Sequence, residues 1–221
     1  MCVFETTQKI KELTNKLKMM KRMMTMMLAL AMAAGVSAQQ KVNGNAQAAI
    51  DNIMTRTSIR KYTNETVSKA DVEKMLRAGM AAPTAVNKQP WHFVVVTDRA
   101  KLKELSGGRG KMLEQCALAI VVCGNMEKAL TGKAQEYWVQ DCSAATENIL
   151  LAAHALGLGA VWTGCYPIEE RVANVSKALK LPETIIPLCT IVIGHPAEQP
   201  TPKDKWKPEN VSYNVFGGKA E

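Results

Sequence analysis

The chain has 221 residues, of which 47% are hydrophobic, so it is long enough to bury a sizeable core in one domain with or without an appendage. Its formal net charge of +8 would suit a nucleic-acid binder, but the charge does not form a dense basic stripe. Residues 1–38 carry a net of +4 (six basic, two acidic), and the rest of the chain carries 22 basic and 18 acidic side chains, so nucleic acid is not predicted as a partner.

The first 38 residues show the order of features that is typical of a Sec signal peptide. Lys18, Lys21 and Arg22 form a basic region, and Met23 to Ala34 is an apolar run that is too short to span a bilayer. The small residues Val36-Ser37-Ala38 follow and resemble a cleavage site. We therefore predict a signal peptide over residues 1–38.

Cleavage before Gln39 would leave residues 39–47 as a polar linker and residues 48–221 as the folded domain. Residues 1–18 have no place in a signal peptide, so an internal start between positions 19 and 23, with the upstream start mis-assigned, is an open alternative. We expect export to the periplasm and no stable membrane insertion after cleavage. The other interpretation is a methionine-rich tail on a cytoplasmic enzyme.

Residues 46–54 predict a short helix that leads into an arginine-containing segment. If Thr57 to Lys61 is extended, alternate side chains share a face, so Arg56, Ser58 and Arg60 point the same way. Two guanidinium groups with a hydroxyl between them suit a phosphate monoester, because planar donors match its oxygens in pairs. The alternative for this segment alone is a solvated strand face.

A second segment, from Pro83 to Trp91, is rich in amides and is stiffened by two prolines. Asn87 and Gln89 each carry a donor and an acceptor, as the carbonyl and N–H rim of a heterocycle requires. These residues could therefore bind the edge of such a ring. The alternative is a turn that enters a strand, with Trp91 as a core anchor.

Strands alternate with helices along the rest of the chain. Ser68, Asp98 and Asp141 are predicted helix N-caps, with Asp71 at the third position of a capping box. Helices are predicted over 68–80, from 98 to about 107, over 141–157 and over 167–179, and strands over 91–97, 117–123, 160–163 and 186–193. The helix after Asp141 is apolar nearly all round, which predicts that it is buried centrally or in a subunit interface.

Five cysteines remain after the predicted cleavage, and most lie in apolar runs. Because their number is odd and their surroundings are apolar, we predict buried free thiols rather than disulfides. The chain has no Cys-x-x-Cys spacing, and its three histidines are scattered, so no metal site is predicted.

Four motifs follow one another in the chain: Arg-Thr-Ser-Ile-Arg-Lys-Tyr at 56–62, Ala-Pro-Thr-Ala-Val-Asn-Lys-Gln-Pro-Trp at 82–91, Gly-Leu-Gly-Ala-Val-Trp-Thr-Gly at 157–164 and Ile-Gly-His-Pro-Ala-Glu at 193–198. Together they resemble the nitroreductase family of FMN-dependent oxidoreductases, from about Ala48 to the C-terminus. The resemblance implies an α+β layered fold in which helices flank a central mixed β-sheet. It also implies a homodimer that binds FMN at its interface.

The same resemblance implies which residues hold the ribityl phosphate. Arg56, Ser58 and Arg60 should contact it, while Thr57 stands where the family often has a second basic residue. A Lys-Asp-Lys run, which includes Lys203 and Lys205, lies where relatives commonly carry an arginine that closes the phosphate pocket. A lysine at position 205 offers a point charge without the planar fork of donors.

Further cofactor contacts are implied for the flavin ring and the ribityl chain: Pro83, Thr84, Ala85, Asn87, Gln89, Trp162, Thr163 and Gly164. The first three match a segment that in relatives comes from the partner subunit. A backbone N–H near Gly164 matches a donor to flavin N5, where it would stabilise the reduced flavin. For Trp162 a simple core role is the alternative.

No side chain in these motifs resembles a nucleophile or a general base. The resemblance implies that FMN carries hydride through N5, from NADH or NADPH to an electron-poor small-molecule acceptor such as a nitroaromatic or a quinone, in a ping-pong sequence. One alternative is a flavin-binding or redox-sensing protein without turnover. Another is a family relative that performs reductive dehalogenation.

Overall fold

The structure is a computed structural model that describes residues 46–107 and 111–219, together with positions 18, 19 and 21. The chain divides into two compact units, Met1–Asp51 and Asn52–Glu221. Apart from those three positions, the predicted signal peptide lies outside the described residues, as does most of the predicted linker. No helix in the described part of the chain is long and apolar enough to cross a membrane.

The predicted alternation of helices and strands is confirmed, with small shifts at the ends. The helices are α1 (46–55), α2 (Lys69–Met80), α3 (Arg99–Ser106), α4 (Met112–Gln115), α5 (Tyr137–Ala155) and α6 (Glu169–Leu179). The strands are β1 (Trp91–Val96), β2 (Leu118–Asn125), β3 (Gly159–Gly164) and β4 (Ile185–Gly194). Short 3-10 turns lie at Ala85–Asn87, Gly132–Ala134 and Pro208–Asn210.

The four strands form one sheet in the order β1-β2-β4-β3, and each neighbouring pair is antiparallel. A parallel pairing enters at the β3 edge, where Ser58 forms an isolated bridge with Ala160. The α+β fold class predicted from the sequence is therefore confirmed. The four strands pair only in the antiparallel direction, and among the residues that the structure describes the parallel pairing expected of a mixed sheet is limited to this bridge.

Helices cover both faces of the sheet because β2, one of its two inner strands, is apolar on both sides. Every residue of β2 from 118 to 124 is buried, and alternate residues face opposite layers. Ile120 packs in a cluster with Ile149 of α5, whereas Val121 packs in another with Val175 of α6. The result is three layers, with α2 and α5 on one face and α3 and α6 on the other.

Two predicted helix starts are confirmed by their caps. The Ser68 hydroxyl accepts from the backbone N–H of Asp71 at 3.1 Å, and the Asp98 carboxylate accepts from the backbone N–H of Lys101 at 2.9 Å. Helix α3 then ends at Gly107, which has a φ of 53° in the left-handed region that favours glycine. These ends were predictable because each cap depends on residues within one turn.

The predicted start of helix α5 was wrong. The helix begins at Tyr137, and Asp141 lies one turn inside it, buried, with its carboxylate accepting from the backbone N–H of Ala85 at 2.8 Å. The buried stripe of α5 already starts at Trp138 and continues through Cys142, which extends the helix toward its N-terminus. The prediction that this helix is buried is confirmed, since no residue from 141 to 154 is exposed.

The five cysteines of the described region are buried thiols, as predicted. Burial raises the pKa of the Cys116 thiol to about 11 and the pKa of the Cys123 and Cys189 thiols to about 12. These thiols are therefore protonated near neutral pH and serve as small apolar core residues.

Candidate functional site

The segment from Arg56 to Tyr62 is held by two isolated β-bridges, one from Ser58 to Ala160 at the edge of the sheet and one from Tyr62 to Pro196 after β4. Ile59 and Tyr62 are buried, and the backbone N–H of Ile59 donates to the carbonyl of Ala160 at 3.1 Å. The Tyr62 hydroxyl donates to the carbonyl of Ile59 at 2.6 Å and lies 3.1 Å from the carbonyl of Val192. These inward anchors fix the backbone, so the polar side chains at positions 56, 57, 58 and 60 are presented from a rigid support.

Those polar side chains line a cavity of about 690 Å³. The end of α1, one residue of α5 and six residues between positions 200 and 206 form the rest of its wall. The lining residues are Ile53, Met54, Arg56, Thr57, Ser58, Arg60, Glu147, Pro200, Thr201, Lys203, Asp204, Lys205 and Trp206. Six of the residues predicted from the sequence as cofactor contacts, at positions 56, 57, 58, 60, 203 and 205, thus lie around one cavity.

The electrostatics of this cavity favour a phosphate dianion. Its wall carries four basic side chains and two acidic ones, Glu147 and Asp204. Arg56 lies 3.5 Å from Glu147 through Nε, but the Glu147 side chain is 47% exposed, so this ion pair is weak and can yield to a more highly charged anion. Guanidinium groups with a neighbouring hydroxyl from Ser58 supply the donors that phosphate oxygens need.

The C-terminal half of helix α5 contacts the end of α1, directly before this segment. His154 Nε2 lies 2.9 Å from the Thr55 hydroxyl, and the Asn52 amide donates to the carbonyl of Leu151 at 3.1 Å. Burial lowers the pKa of His154, and the positive charge of Arg56 lowers it further. His154 is thus a half-buried histidine that contacts the residue directly before the phosphate segment, residues 56–62, and this place was not evident from the sequence.

The amide-rich loop is a separate rigid feature. Val86, Asn87 and Gln89 all have φ between 43° and 57°, a strained conformation for residues other than glycine. The loop is held from within, because Gln89 donates through its side chain to Asn87 Oδ1 at 2.9 Å and through its backbone to the Thr84 hydroxyl at 3.1 Å.

The structure does not bring this loop to the 690 Å³ cavity. The loop residues predicted as cofactor contacts, positions 83, 84, 85, 87 and 89, are not among the residues that line it. Val86, whose backbone has a positive φ, lies at the tip of the loop and is 78% exposed. The loop is therefore held in a fixed, exposed conformation, and its residues do not contribute to the wall of the 690 Å³ cavity.

The end of strand β3 forms a third part of the predicted site. Trp162 packs against the core cluster of α5, whereas Thr163 and Gly164 line a second cavity of about 240 Å³. Thr163 donates to the carbonyl of Thr190 at 2.7 Å, and Arg171 donates to the carbonyl of Gly164 at 3.2 Å. The backbone at the end of β3 is therefore fixed from both sides.

Seven residues that line the 690 Å³ cavity were not identified from the sequence, among them Pro200, Thr201 and Asp204 of the C-terminal segment. The other four are Ile53 and Met54 of α1, Glu147 of α5 and Trp206 of the C-terminal segment. The Trp206 indole is 70% exposed, so it is a wall residue rather than a core residue. For Trp206 a sequence signal existed, because an aromatic residue directly follows the Lys-Asp-Lys run. Glu147 depends on how α5 packs and had no local signal.

Comparisons with known proteins agree with this geometry. A profile described as Nitroreductase family matches residues 53–108 and 103–195. A relative from Methanothermobacter thermautotrophicus, provisionally named NADH dehydrogenase/NAD(P)H nitroreductase, is 44% identical over 166 residues, which are 73% of this chain and 84% of the relative.

Two solved structures have the same fold. One, from Bacteroides thetaiotaomicron VPI-5482 and given the same provisional name, is 48% identical with a TM-score of 0.71, and the match covers 76% of this chain and 97% of that chain. The other, an FMN-dependent nitroreductase from Clostridium difficile R20291, is 31% identical with a TM-score of 0.68, and the match covers 76% and 99% of the two chains.

Proposed function

The chain belongs to the nitroreductase family, and from that premise we propose that it is an FMN-dependent NAD(P)H oxidoreductase. Its acceptor would be a small electron-poor molecule such as a quinone or a nitroaromatic. The mechanism would be ping-pong, in which the oxidised nicotinamide leaves before the acceptor binds. The FMN-dependent nitroreductase from Clostridium difficile supports the choice of cofactor. FMN, when bound, supplies the hydride chemistry, and the protein supplies binding, orientation and electrostatics.

The observation that carries this proposal is the cavity around Arg56, Ser58 and Arg60. A phosphate monoester there would meet charge-assisted hydrogen bonds from the two arginines and a neutral hydrogen bond from Ser58. Lys203 and Lys205, which line the same cavity, would add point charges. The cavity is larger than a phosphate needs, so there is space for the polyol that follows it.

The rest of the cofactor would be oriented by backbone and amides rather than by acid or base groups. Trp162, Thr163 and Gly164 lie at the fixed end of β3, where backbone N–H groups can donate to a ring nitrogen. Asn87 and Gln89 would bind the ring edge through their amides. No side chain in this arrangement needs to move a proton from a carbon atom.

We further propose that the protein is a homodimer. The loop at 83–89 is strained, internally hydrogen-bonded and exposed at its tip, yet it does not line the cavity of its own chain. A second subunit would give this loop a surface to contact and would bring its amides to a bound ring. The mass of the purified protein, measured by light scattering during gel filtration, distinguishes a dimer from a monomer.

The activity is tested by anaerobic stopped-flow mixing of the purified holoprotein with NADH and, separately, with NADPH. We expect the flavin absorbance to bleach with at least one of them and to recover when a quinone or a nitroaromatic is added. If neither nicotinamide bleaches the flavin, the proposed half-reaction is absent. A flavin-binding protein without this turnover would then be the better description.

Export remains part of the proposal because the basic, apolar and small-residue regions follow one another in the order that a signal peptide requires. N-terminal sequencing of protein from its native source should give Gln39 as the first residue. An intact Met1 or Met23 terminus on cytosolic protein would instead identify the segment as a tail.

A further inference from the structure

The Ile-Gly-His-Pro-Ala-Glu motif at 193–198 has no role in the site as described so far, yet its last residue contacts the phosphate segment. The carboxylate oxygen Oε1 of Glu198 accepts from the backbone N–H of Arg60 at 2.6 Å and from the backbone N–H of Lys61 at 3.2 Å. One oxygen therefore binds two consecutive amides of the segment that carries Arg60.

These amides lie where the segment passes from one partner to another. Up to Ile59 its backbone pairs with Ala160 of β3. From Lys61 onward it pairs with the chain after β4, since Ala197 donates to the carbonyl of Lys61 at 2.9 Å and Thr63 donates to the carbonyl of His195 at 2.9 Å. Glu198 supplies the acceptor for the Arg60 amide at this crossing, between the two backbone pairings.

We propose that Glu198 is a positioning residue that fixes the backbone at Arg60, and through it the guanidinium, for phosphate binding. This inference rests on the proposed FMN site. Through space, a carboxylate close to the cavity opposes the binding of an anion. Any benefit of Glu198 to phosphate affinity must therefore come from the geometry of the two amide hydrogen bonds rather than from its charge.

Three variants separate geometry from charge. Glu198→Gln keeps an acceptor oxygen at the same reach and removes the charge. Glu198→Asp keeps the charge and shortens the reach by one methylene. Glu198→Ala removes both, and because it could also unsettle the fold, the Gln and Asp variants keep the test decisive.

Two quantities are measured on each refolded or apo-exchanged variant: the dissociation constants for FMN and riboflavin, and the hydrogen-exchange rates of the Arg60 and Lys61 amides. We expect Glu198→Ala and Glu198→Asp to weaken FMN binding by about tenfold, because Arg60 loses its fixed geometry. Riboflavin affinity should change little, because that ligand has no phosphate. The two amides should exchange faster in both variants.

Glu198→Gln should retain slow exchange at both amides and should bind FMN at least as tightly as the unmodified protein. A weakened Glu198→Gln that matches Glu198→Asp would overturn the geometric role. So would a loss of FMN and riboflavin affinity by the same factor, which would identify a general structural role.

Arg60→Ala serves as the reference that separates this inference from the proposed function. If Arg60→Ala binds FMN with unchanged affinity, the phosphate site itself is wrong. If Arg60→Ala is impaired while Glu198→Ala binds FMN normally, the phosphate site stands and the positioning role of Glu198 is refuted.

Discussion

Gly159 and Gly194 are paired with each other across strands β3 and β4, and the phosphate segment packs over both of them. A Cβ atom at Gly159 would lie 2.6 Å from Cγ2 of Ile59, and a Cβ atom at Gly194 would lie 2.9 Å from the Tyr62 ring. The absence of side chains at this pair therefore creates the space for the inward anchors of the segment. The position of Arg56, Ser58 and Arg60 depends on that space.

Gly159→Ala should displace Ile59 and with it the phosphate segment. The backbone of β3 can accept alanine, so the effect is a steric overlap, which typically costs about 1–3 kcal/mol in a packed core. We expect a lower urea midpoint and weaker FMN binding. Because Ile59→Ala removes the atom in closest contact, the double variant should lose less stability than the sum of the two single variants. Strictly additive losses would show that the contact does not limit the packing.

Asp141 holds the amide-rich loop from below, since its buried carboxylate accepts from the backbone N–H of Ala85 at 2.8 Å. Asp141→Ala should destabilise the protein by about 1.5–3 kcal/mol, the usual range for a hydrogen bond to a charged group. Asp141→Asn keeps a carbonyl acceptor and should lose less. Urea unfolding measures both losses. Equal losses for the two variants would mean that the hydrogen bond to Ala85 contributes nothing specific.

Much of the fold followed from the sequence because the signals were local. The caps at Ser68 and Asp98 depend on residues within one turn. The alternation of an extended chain placed positions 56, 58 and 60 together, and they do line one cavity, although Thr57 lines it as well. Sequence reasoning could therefore collect six residues of one cavity, although two of them lie some 150 positions beyond the others.

The errors came from contacts between distant elements. Asp141 resembles an N-cap by composition, but its partner is Ala85, and the amphipathic stripe that begins at Trp138 outweighs the capping preference. Glu147 and Glu198 are ordinary acidic residues until the packing of α5 and the chain after β4 place them beside the phosphate segment. Such assignments require the tertiary structure.

The position of His154 predicts a dependence of stability on pH. Burial and, secondarily, Arg56 hold the folded-state pKa of His154 below its ordinary value of 6.5. The unfolded chain therefore takes up the proton more readily, so the stabilisation from neutral His154 is complete above pH 6.5 and is lost as the pH falls below it.

His154→Gln cannot take up this proton. Urea midpoints measured between about pH 8 and about pH 5 should fall more steeply for the unmodified protein than for His154→Gln. The two proteins differ only at position 154, so the difference between the two curves isolates that position. Parallel curves would show that His154 titrates alike in the folded and unfolded chains.

The phosphate site gives the most direct prediction, because particular side chains are tied to one group of the ligand. Arg60→Ala and Arg56→Ala should each weaken FMN binding by roughly 10- to 100-fold, since each charge-assisted hydrogen bond is worth about 1.5–3 kcal/mol.

Lys61→Ala is the matched control: it removes one positive charge from the same segment, at an exposed side chain that does not line the cavity. Its FMN affinity should change only slightly, because the Lys61 charge acts on the phosphate only through a long-range attraction that salt screens. Riboflavin should bind the unmodified protein more weakly than FMN does. Its affinity for the unmodified protein and for the two arginine variants should be nearly the same. Titration of the apoproteins by flavin fluorescence measures all of these constants. Unchanged FMN affinity in both arginine variants, or a Lys61→Ala loss as large as theirs, would mean that the cavity attracts anions only through its general charge.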